Sequence, residues 1–243
     1  MLLLLAGTSE ARVLAKLAAD QGVPAMASLA GATRDPGVLA LPTRCGGFGG
    51  DAGFEAYLAD HKITAVLDAT HPFAVQVSER TARICREIGL RHLQLLRPPW
   101  EPGPGDNWIK LAREEDAAAH VGSADTVFLA TGRQTLQRFG NLSGRRLICR
   151  QIDPPSGPFP FPNGEFLIGR PPFSVEQEVA LFRRLDVNWL VVKNAGGEAS
   201  RSKLDAAREL GISVAMIERP KPPACAQVKT VGQAIAWVQA LTW

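Results

Sequence analysis

A lysine and an asparagine end an apolar run in the second half of the chain, one residue before two glycines. The sequence reads VVKNAGGEAS over residues 191–200. Lys193 can pair with a carboxylate or a phosphate. Gly196 and Gly197 would let the start of a following helix approach the same anion, because helix N-termini offer N–H groups and a positive dipole. Together with Asn194, these residues predict an anion-binding site, and we predict that they bind substrate.

Three arginines take comparable positions in the same half of the chain. Arg133, Arg150 and Arg170 lie at or just after the ends of apolar runs. A guanidinium can bind a carboxylate through two parallel hydrogen bonds, although each arginine alone could also be a surface charge. With Lys193 they favour a small ligand that carries several carboxylates, and we predict that all four bind substrate.

The first half begins with an apolar run followed by GTSE, residues 7–10. Gly7, Thr8 and Ser9 can hold a phosphate at the start of a helix, and Glu10 shares this position. The three-glycine dinucleotide fingerprint is absent, and Thr8 or Ser9 could simply cap the helix. We predict cofactor binding by these four residues.

The end of the second apolar run should lie beside the cofactor ribose. Ser28 and Gly31 follow this run, and Arg34 precedes the first acidic residue there, Asp35. A basic residue at this position accommodates the extra phosphate of NADP, whereas an acidic residue selects NAD. The pattern therefore favours NADPH, with a solvated loop charge as the alternative for Arg34.

A glycine-rich stretch, RCGGFGGDAGF, covers residues 44–54. Its glycines would let the backbone approach a ligand closely, and one aromatic side chain could stack on that ligand. We predict that Gly47 and Phe48 bind cofactor, with a flexible surface loop as the alternative.

The stretch ATHPFA, residues 69–74, follows a third apolar run. Pro72 keeps His71 out of the helical region, so the imidazole should lie at the rim of the site. His71 is the candidate catalytic residue, and packing or capping is its alternative role. Thr70, Pro72 and Phe73 are predicted to bind cofactor, although Thr70 could also cap a helix.

Strands and helices alternate along both halves and must position these residues. Such alternation predicts an α/β fold with parallel sheets, whose ligands bind at the carboxyl ends of the strands. We predict two Rossmann-like, doubly wound domains, residues 1–100 and 101–243, divided at the proline-rich RPPWEPGPGDNW. Predicted strands cover residues 2–6, 24–29, 63–68, 92–96, 108–111, 126–130, 146–152, 189–192 and 214–217. Predicted helices include residues 54–60, 75–88, 114–121, 175–185, 203–210 and 231–241, and one around Leu136.

Composition excludes several classes of protein. The 243 residues are 46% hydrophobic and 21% charged, which is typical of a globular protein, and the net charge of +3 without basic runs argues against nucleic-acid binding. The N-terminal apolar run is too short for a signal peptide or a membrane span. We expect a cytoplasmic protein with free cysteines, and the histidine spacing predicts no metal site.

Eight stretches, in order along the chain, resemble the precorrin-6A reductase family of cobalamin biosynthesis. They are GTSEAR (7–12), SLAG (28–31), GGFGG (46–50), DATHPFA (68–74), RPPW (97–100), IGRPPF (168–173), KNAGG (193–197) and AARELGISVAMIERP (206–220). Pro171 and Ala195 depart from the family pattern, where glycine and serine are usual.

The resemblance implies an oxidoreductase whose active site lies in a cleft between two Rossmann-like domains, with NADPH mainly on the first. Its substrate would be a tetrapyrrole with acetate and propionate arms, reduced at the double bond between C18 and C19. Three other hypotheses about function remain open. The protein could reduce the cobalt-containing macrocycle, it could be an NADPH reductase with another anionic substrate, or it could be an NADPH sensor or carrier without catalysis. The proton could come from His71, from solvent or from a substrate carboxylic acid. The loop at residues 154–166 is expected to close over substrate.

Overall fold

The chain folds into two α/β units, each built on a six-stranded parallel sheet. The structure, a computed structural model, describes residues 1–31 and 37–242. Unit 1 comprises Met1–Pro98 and the C-terminal segment from Pro220, and unit 2 comprises Pro99–Arg219. The two parallel sheets with their flanking helices confirm the predicted fold class.

Unit 1 is built around a central strand of four consecutive buried leucines, β1 (Leu2–Leu5). Its other strands are β2 (Ala25–Leu29), β3 (Thr43–Cys45), β4 (Ala65–Asp68), β5 (Arg91–Leu95) and β12 (Gln227–Val228). Its helices are α1 (Ser9–Asp20), α2 (Gly50–Asp60), α3 (Val75–Glu87) and α6 (Val231–Gln239). The strand order is β12-β5-β4-β1-β2-β3.

Successive side chains of β1 point to opposite faces of this sheet, so both faces are apolar, and helices cover both of them. Leu2 and Leu4 share a core with Leu14 of α1, whereas Leu3 and Leu5 pack in a second core with α2 and α3. Each fully buried leucine contributes about 2 kcal/mol. This double burial explains why β1 is apolar throughout and why the polar residues begin only after it ends.

Unit 2 repeats the architecture with its own sheet, in the order β6-β11-β10-β7-β8-β9. The strands are β6 (Trp108–Leu111), β7 (Thr126–Leu129), β8 (Arg146–Gln151), β9 (Gly164–Ile168), β10 (Trp189–Lys193) and β11 (Ser213–Ile217). Two α-helices, α4 (Val175–Leu185) and α5 (Ser202–Leu210), flank it together with three 3₁₀ helices, Glu114–Ala119, Arg133–Leu142 and Glu198–Ser200. The first two 3₁₀ helices stand where helices were predicted.

Three strands escaped the sequence analysis: β3, β9 and β12. Two of them, β3 and β12, form the edges of the sheet of unit 1, and β9 forms an edge of the sheet of unit 2. Edge strands are short and partly exposed, so they lack the apolar runs that mark central strands.

The C-terminal segment differs from the predicted division, which assigned residues 101–243 to one domain. The chain leaves unit 2 after Arg219 and returns to unit 1, where β12 pairs with β5. Ala234 and Val238 of α6 are buried in the same core as Leu14 of α1. The proline-rich ERPKPP stretch, residues 218–223, is therefore a second crossing between units and not an irregular loop within one domain.

Several simple properties hold for residues 1–31 and 37–242. None of the helices there is both long and apolar enough to cross a membrane, and no three histidine, cysteine or acidic side chains are grouped to hold a metal ion. The four cysteines are free thiols. Burial raises the pKa of Cys85 and Cys149 to about 12, so both are protonated and unreactive at neutral pH.

Candidate functional site

In unit 1, the turns that follow β1 and β4 are joined by a side chain. The two strands are parallel neighbours, with Leu5 opposite Asp68. The Thr8 hydroxyl donates to the Ala69 carbonyl at 2.9 Å and accepts from the Ala11 N–H at 3.2 Å. Thr8 is thus the N-cap of α1, and it also brings two predicted cofactor-binding stretches together at the carboxyl edge of the sheet.

Glu10, in the first turn of α1, is engaged by an arginine. Arg97 donates to the Glu10 carboxylate at 2.6 Å, and the Ser9 hydroxyl donates to the same carboxylate at 3.1 Å. Burial lowers the pKa of Arg97, and Glu10 opposes that shift. Since Arg97 balances the charge of Glu10, the N–H groups and dipole at the start of α1 can still attract an anion.

Asp68, the last residue of β4, organises the following turn and was missed by the sequence analysis. Its side chain is buried, and one carboxylate oxygen accepts from the Thr70 N–H at 3.0 Å and the Thr70 hydroxyl at 2.7 Å. The other oxygen accepts from the Ser78 hydroxyl at 2.6 Å. Thr70 therefore braces its own turn, and the residue that caps α3 is Ala74. A lone aspartate ending a buried apolar strand was the available signal.

His71 has a fixed ring orientation. The Phe73 N–H donates to His71 Nδ1 at 3.2 Å, so Nδ1 is the acceptor and Nε2 carries the proton. The imidazole and the Phe73 ring lie 5.7 Å apart, and both side chains are half-buried, as is Pro72 between them. Nε2 is therefore the N–H donor of the ring.

Arg44 of β3 is a second residue that the sequence analysis missed. Its guanidinium donates to the Ser28 hydroxyl at 2.9 Å and to the carbonyls of Gly46 and Gly47 at 2.8 Å each. Because β3 runs beside β2, this guanidinium lies near the end of β2, where a residue that binds the ribose phosphate is expected. Arg34, which the sequence predicted to bind the ribose phosphate, lies outside the described residues. Gly31 lies just beyond β2.

Phe48 packs within unit 1 and supports Arg44. Its ring contacts Phe54 and Tyr57 edge-on, with centroids 4.8 and 5.0 Å away, and the Arg44 guanidinium lies 4.1 Å from its centroid. The sequence predicted a ring that stacks on a ligand. In the structure the ring stacks against the guanidinium and fixes its position.

In unit 2, Lys193 at the end of β10 belongs to a three-residue charge cluster. Its ammonium lies 3.8 Å from one carboxylate oxygen of Glu114, and Arg138 donates to the other oxygen at 3.2 Å. Lys193 and Glu114 are only 15% and 6% exposed. Burial lowers the pKa of Lys193, Glu114 opposes this shift, and Arg138 adds to it. With two cations and one carboxylate, the cluster keeps a net positive charge.

Asn194 contacts the chain itself. Its amide oxygen accepts from the Trp100 N–H at 2.8 Å, and its amide nitrogen donates to the Trp100 carbonyl at 2.9 Å. The Trp100 indole N–H donates to the Gly197 carbonyl at 2.9 Å. The side chain predicted to bind substrate is therefore used to anchor the segment where unit 2 begins.

The two glycines after Asn194 serve the turn geometry. Gly196 and Gly197 have φ angles of 65° and 80°, a region that other residues rarely adopt. Arg219 donates to the carbonyls of Asn194 and Ala195 at 2.7 and 2.9 Å. A three-residue 3₁₀ helix follows, and α5 begins only at Ser202, so the turn lacks the long helix start that an anion cradle was expected to use.

Arg150 is not positioned as the predicted carboxylate clamp. It makes a bidentate pair with Glu178 at 2.7 and 2.8 Å, with side chains only 10% and 1% exposed. The guanidinium also lies 5.1 Å from the centroid of the Phe128 ring and 4.5 Å from that of Phe173. A buried glutamate requires a cation beside it, and Arg150 supplies that charge within the fold.

The other two predicted arginines lie at the surface of unit 2. Arg133 is the exposed first residue of the 3₁₀ helix that follows β7. Arg170 is exposed just after β9, next to a cis peptide bond between Pro171 and Pro172. Their roles toward a ligand remain predictions.

Comparison with known proteins supplies the family. The model of the precorrin-6x reductase family CbiJ/CobK matches residues 1–239. The chain belongs to this family. These enzymes are reductases of cobalamin biosynthesis, and the match covers both units and the returning C-terminal segment.

Individual members are similar over nearly their whole length. The precorrin-6A reductase of Rhodococcus erythropolis is 44% identical over 99% of this chain and 98% of its own length. That of Rhodobacter capsulatus is 41% identical over 98% and 95%. A solved structure of CobK precorrin-6A reductase covers 98% of this chain and 95% of its own, with 41% identity and a TM-score of 0.94. The chain and this family member therefore share one fold.

Proposed function

We propose that this protein reduces one carbon–carbon double bond of precorrin-6A with NADPH. The observation that carries the proposal is the match to precorrin-6x reductases over residues 1–239. The full-length similarity to two curated precorrin-6A reductases supports the same substrate class, a tetrapyrrole with several carboxylate arms.

Unit 1 fits a nicotinamide dinucleotide. The start of α1 after β1 suits a phosphate, and Arg44, the middle residue of β3, lies beside Ser28. We propose that Arg44 binds the 2′-phosphate that distinguishes NADPH from NADH. When bound, the nicotinamide supplies the hydride, and the protein supplies orientation and charge.

Unit 2 would hold carboxylate arms of the substrate. The cluster combines two cations with one carboxylate; Lys193 and Glu114 are largely buried, where electrostatic attraction is stronger than in water, whereas Arg138 is 57% exposed. Arg133 and Arg170 add exposed cations at the ends of β7 and β9. Arg150 is omitted from this set because its guanidinium already pairs with Glu178.

Reduction of a double bond also requires a proton on the second carbon. His71 is the candidate donor, because the Phe73 N–H occupies Nδ1 and leaves the proton on Nε2. Loss of that proton alone would leave an anionic ring, so donation requires a relay that returns a proton to the ring, or protonation of Nδ1 with loss of its hydrogen bond from Phe73. Solvent and a substrate carboxylic acid remain the competing donors.

The metal-free macrocycle is the proposed substrate. The relatives at 40–44% identity are named precorrin-6A reductases, whereas the cobalt-precorrin-6A reductase of Priestia megaterium is 28% identical. A cobalt-containing substrate is the second candidate, since the fold family includes both names.

Turnover with each macrocycle tests the proposal. The purified protein should oxidise NADPH when precorrin-6A is added, with NADH a poorer donor and cobalt-precorrin-6A a poorer acceptor. Faster turnover of the cobalt form would reverse the substrate assignment, and NADPH that binds without oxidation would indicate a sensor or carrier.

A further inference from the structure

Asp68, the last residue of β4, is a buried carboxylate whose hydrogen-bond partners are all neutral. The residue is 1% exposed. One carboxylate oxygen accepts from the N–H and the hydroxyl of Thr70, and the other accepts from the Ser78 hydroxyl and, at 3.4 Å, from the Gln94 side-chain amide. In the part of the chain that the structure describes, no lysine or arginine forms an ion pair with Asp68. The hydrogen bonds therefore hold the carboxylate in place without neutralising its charge.

The titratable groups that face Asp68 from neighbouring elements do not supply a counter-charge. They are His92 of β5, Cys85 of α3 and Cys225 of the returning C-terminal segment. Burial lowers the pKa of His92, against the attraction of Asp68, so this imidazole is neutral at neutral pH. Burial raises the pKa of both thiols, Cys85 to about 12, so they are neutral as well. Buried charges are normally paired, and this unpaired carboxylate therefore indicates a positive group on a ligand.

The strand order of unit 1 assigns Asp68 to one half of a bound dinucleotide. Counted from β3 the order is β3-β2-β1-β4-β5-β12, the arrangement of dinucleotide-binding folds, and it reverses between β1 and β4. Leu5 at the end of β1 lies opposite Asp68 at the end of β4. The adenosine half belongs to β1, β2 and β3, where Arg44 is proposed to bind the 2′-phosphate. The nicotinamide half therefore belongs to the side of the sheet that Asp68 begins.

We propose that the Asp68 carboxylate stabilises the positive charge of the oxidised nicotinamide and thereby favours hydride donation. The inference rests on the proposed function, which supplies NADPH. In that reaction the C4–H bond of the nicotinamide breaks with its electron pair, a C–H bond forms on the macrocycle, and the neutral ring of NADPH becomes the cationic ring of NADP⁺. The attraction needs no contact, because charges act over several ångströms in the protein interior. The hydrogen bonds to Asp68 fix the carboxylate in advance, so the transfer requires no reorganisation there.

Binding of the two cofactor forms tests this inference without turnover. Isothermal titration calorimetry gives the Kd values of NADP⁺ and NADPH, which differ in the charge of the nicotinamide ring and share their phosphates. Asp68→Asn should weaken NADP⁺ binding about tenfold and change NADPH binding by less than about twofold. The substitution keeps the shape of the side chain, because the new amide oxygen can accept from Thr70 and the new amide N–H can donate to the Ser78 hydroxyl.

Ser78→Ala is the matched control, because it removes one hydrogen bond from Asp68 and keeps the charge. It should change both Kd values by the same factor. Where Asp68→Asn proves unstable, Gln227→Lys takes its place, with the neutral Gln227→Met as control. Gln227 is exposed on β12 and contacts Gln94, so a lysine there brings a cation toward Asp68. It should weaken NADP⁺ binding about threefold relative to NADPH.

The ratio of the two Kd values decides the outcome. A ratio equal to that of the wild type in folded Asp68→Asn, or in Gln227→Lys where that variant is used, would overturn the proposal. A shift of the ratio in Ser78→Ala as large as in Asp68→Asn would also overturn it, because the charge would then not be the cause.

Turnover separates this inference from the proposed function. Normal reduction of precorrin-6A by the wild type, with a Kd ratio that does not depend on Asp68, would refute the role of Asp68 alone. Absent turnover in a wild type whose Kd ratio does depend on Asp68 would refute the proposed function and leave the role of Asp68 toward the cofactor supported.

Discussion

Asn194 holds the main chain of Trp100 through both ends of its side-chain amide. The two hydrogen bonds are 2.8 and 2.9 Å long, and the Trp100 indole N–H in turn donates to the Gly197 carbonyl. The turn after β10 is thereby tied to the segment where unit 2 begins. Asn194, which the sequence predicts to bind a ligand, therefore anchors one segment of the chain to another.

Asn194→Ala should destabilise unit 2, because the Trp100 N–H and carbonyl lose their partners. Two hydrogen bonds correspond to about 1–3 kcal/mol in the free energy of unfolding. Urea unfolding followed by tryptophan fluorescence measures the loss, and Gln134→Ala, an exposed residue, is the control. An unfolding free energy equal to that of the wild type would show that the pairing contributes nothing.

The environment of Lys203 predicts a pH-dependent stability. Burial, with Arg150 adding repulsion and Glu178 opposing it, lowers the pKa of Lys203 from 10.5 to about 8. Between these pH values the unfolded chain binds the proton and the folded chain does not, so stability rises with pH. Relative to Lys203→Met, the wild type should gain up to about 3 kcal/mol across this window.

Urea unfolding of both proteins below pH 8 and near pH 10 checks this expectation. Other titrating groups are common to the two proteins and cancel in the comparison. A difference between them that stays constant with pH would mean that Lys203 keeps its ordinary pKa in the folded state.

The buried pair of Arg150 and Glu178 predicts a non-additive mutation series. Arg150→Met should cost about 3–5 kcal/mol of unfolding free energy, because the Glu178 carboxylate is left buried without a counter-charge. The double variant Arg150→Met/Glu178→Leu should recover most of this loss. Chemical denaturation of the two single variants and the double variant measures the coupling.

The same double variant tests the role that the sequence predicted for Arg150. We expect it to retain the KM of the wild type for the tetrapyrrole, because the guanidinium already pairs with Glu178. A stable double variant with a strongly raised KM would restore Arg150 to the substrate site.

Arg44→Ala should weaken NADPH binding about ten- to a hundredfold and leave NADH binding nearly unchanged, because a charge-assisted contact with the 2′-phosphate is lost. Fluorescence titration with both cofactors measures the two Kd values. Arg91→Ala is the matched control, an exposed arginine that starts β5 and so lies at the amino end of its strand. Equal losses for both cofactors would show that Arg44 only orders the loop that follows it.

The sequence was sufficient to predict the central strands of each sheet but not the edge strands. The strands β1 and β10 are apolar runs ending in polar turns, and both were located to within a residue or two. The edge strands β3, β9 and β12 lack such runs. The return of residues 227–239 to unit 1 depends on the contact of Val238 with the core of α1, a long-range pairing that no local pattern reveals.

For the site residues as well, the sequence predicted where they lie along the strands but not which residues they contact. The sequence located Thr8, Lys193 and Arg150 at strand ends, as the structure has them. Their partners were hidden, because Glu178 lies 28 residues after Arg150 and the carbonyl of Ala69 lies 61 residues after Thr8. A charged or polar residue at a strand end can bind a ligand or brace the fold, and only its three-dimensional neighbours distinguish the two.

We propose that this chain transfers a hydride from NADPH to a tetrapyrrole carbon. The most direct test is to incubate the protein with precorrin-6A and NADPH deuterated at both C4 positions of the nicotinamide, and to analyse the macrocycle by mass spectrometry. We expect a product that has gained one carbon-bound deuterium from the cofactor and one hydrogen from the protein or solvent. Recovery of precorrin-6A without deuterium, with or without cofactor binding, would contradict the claim.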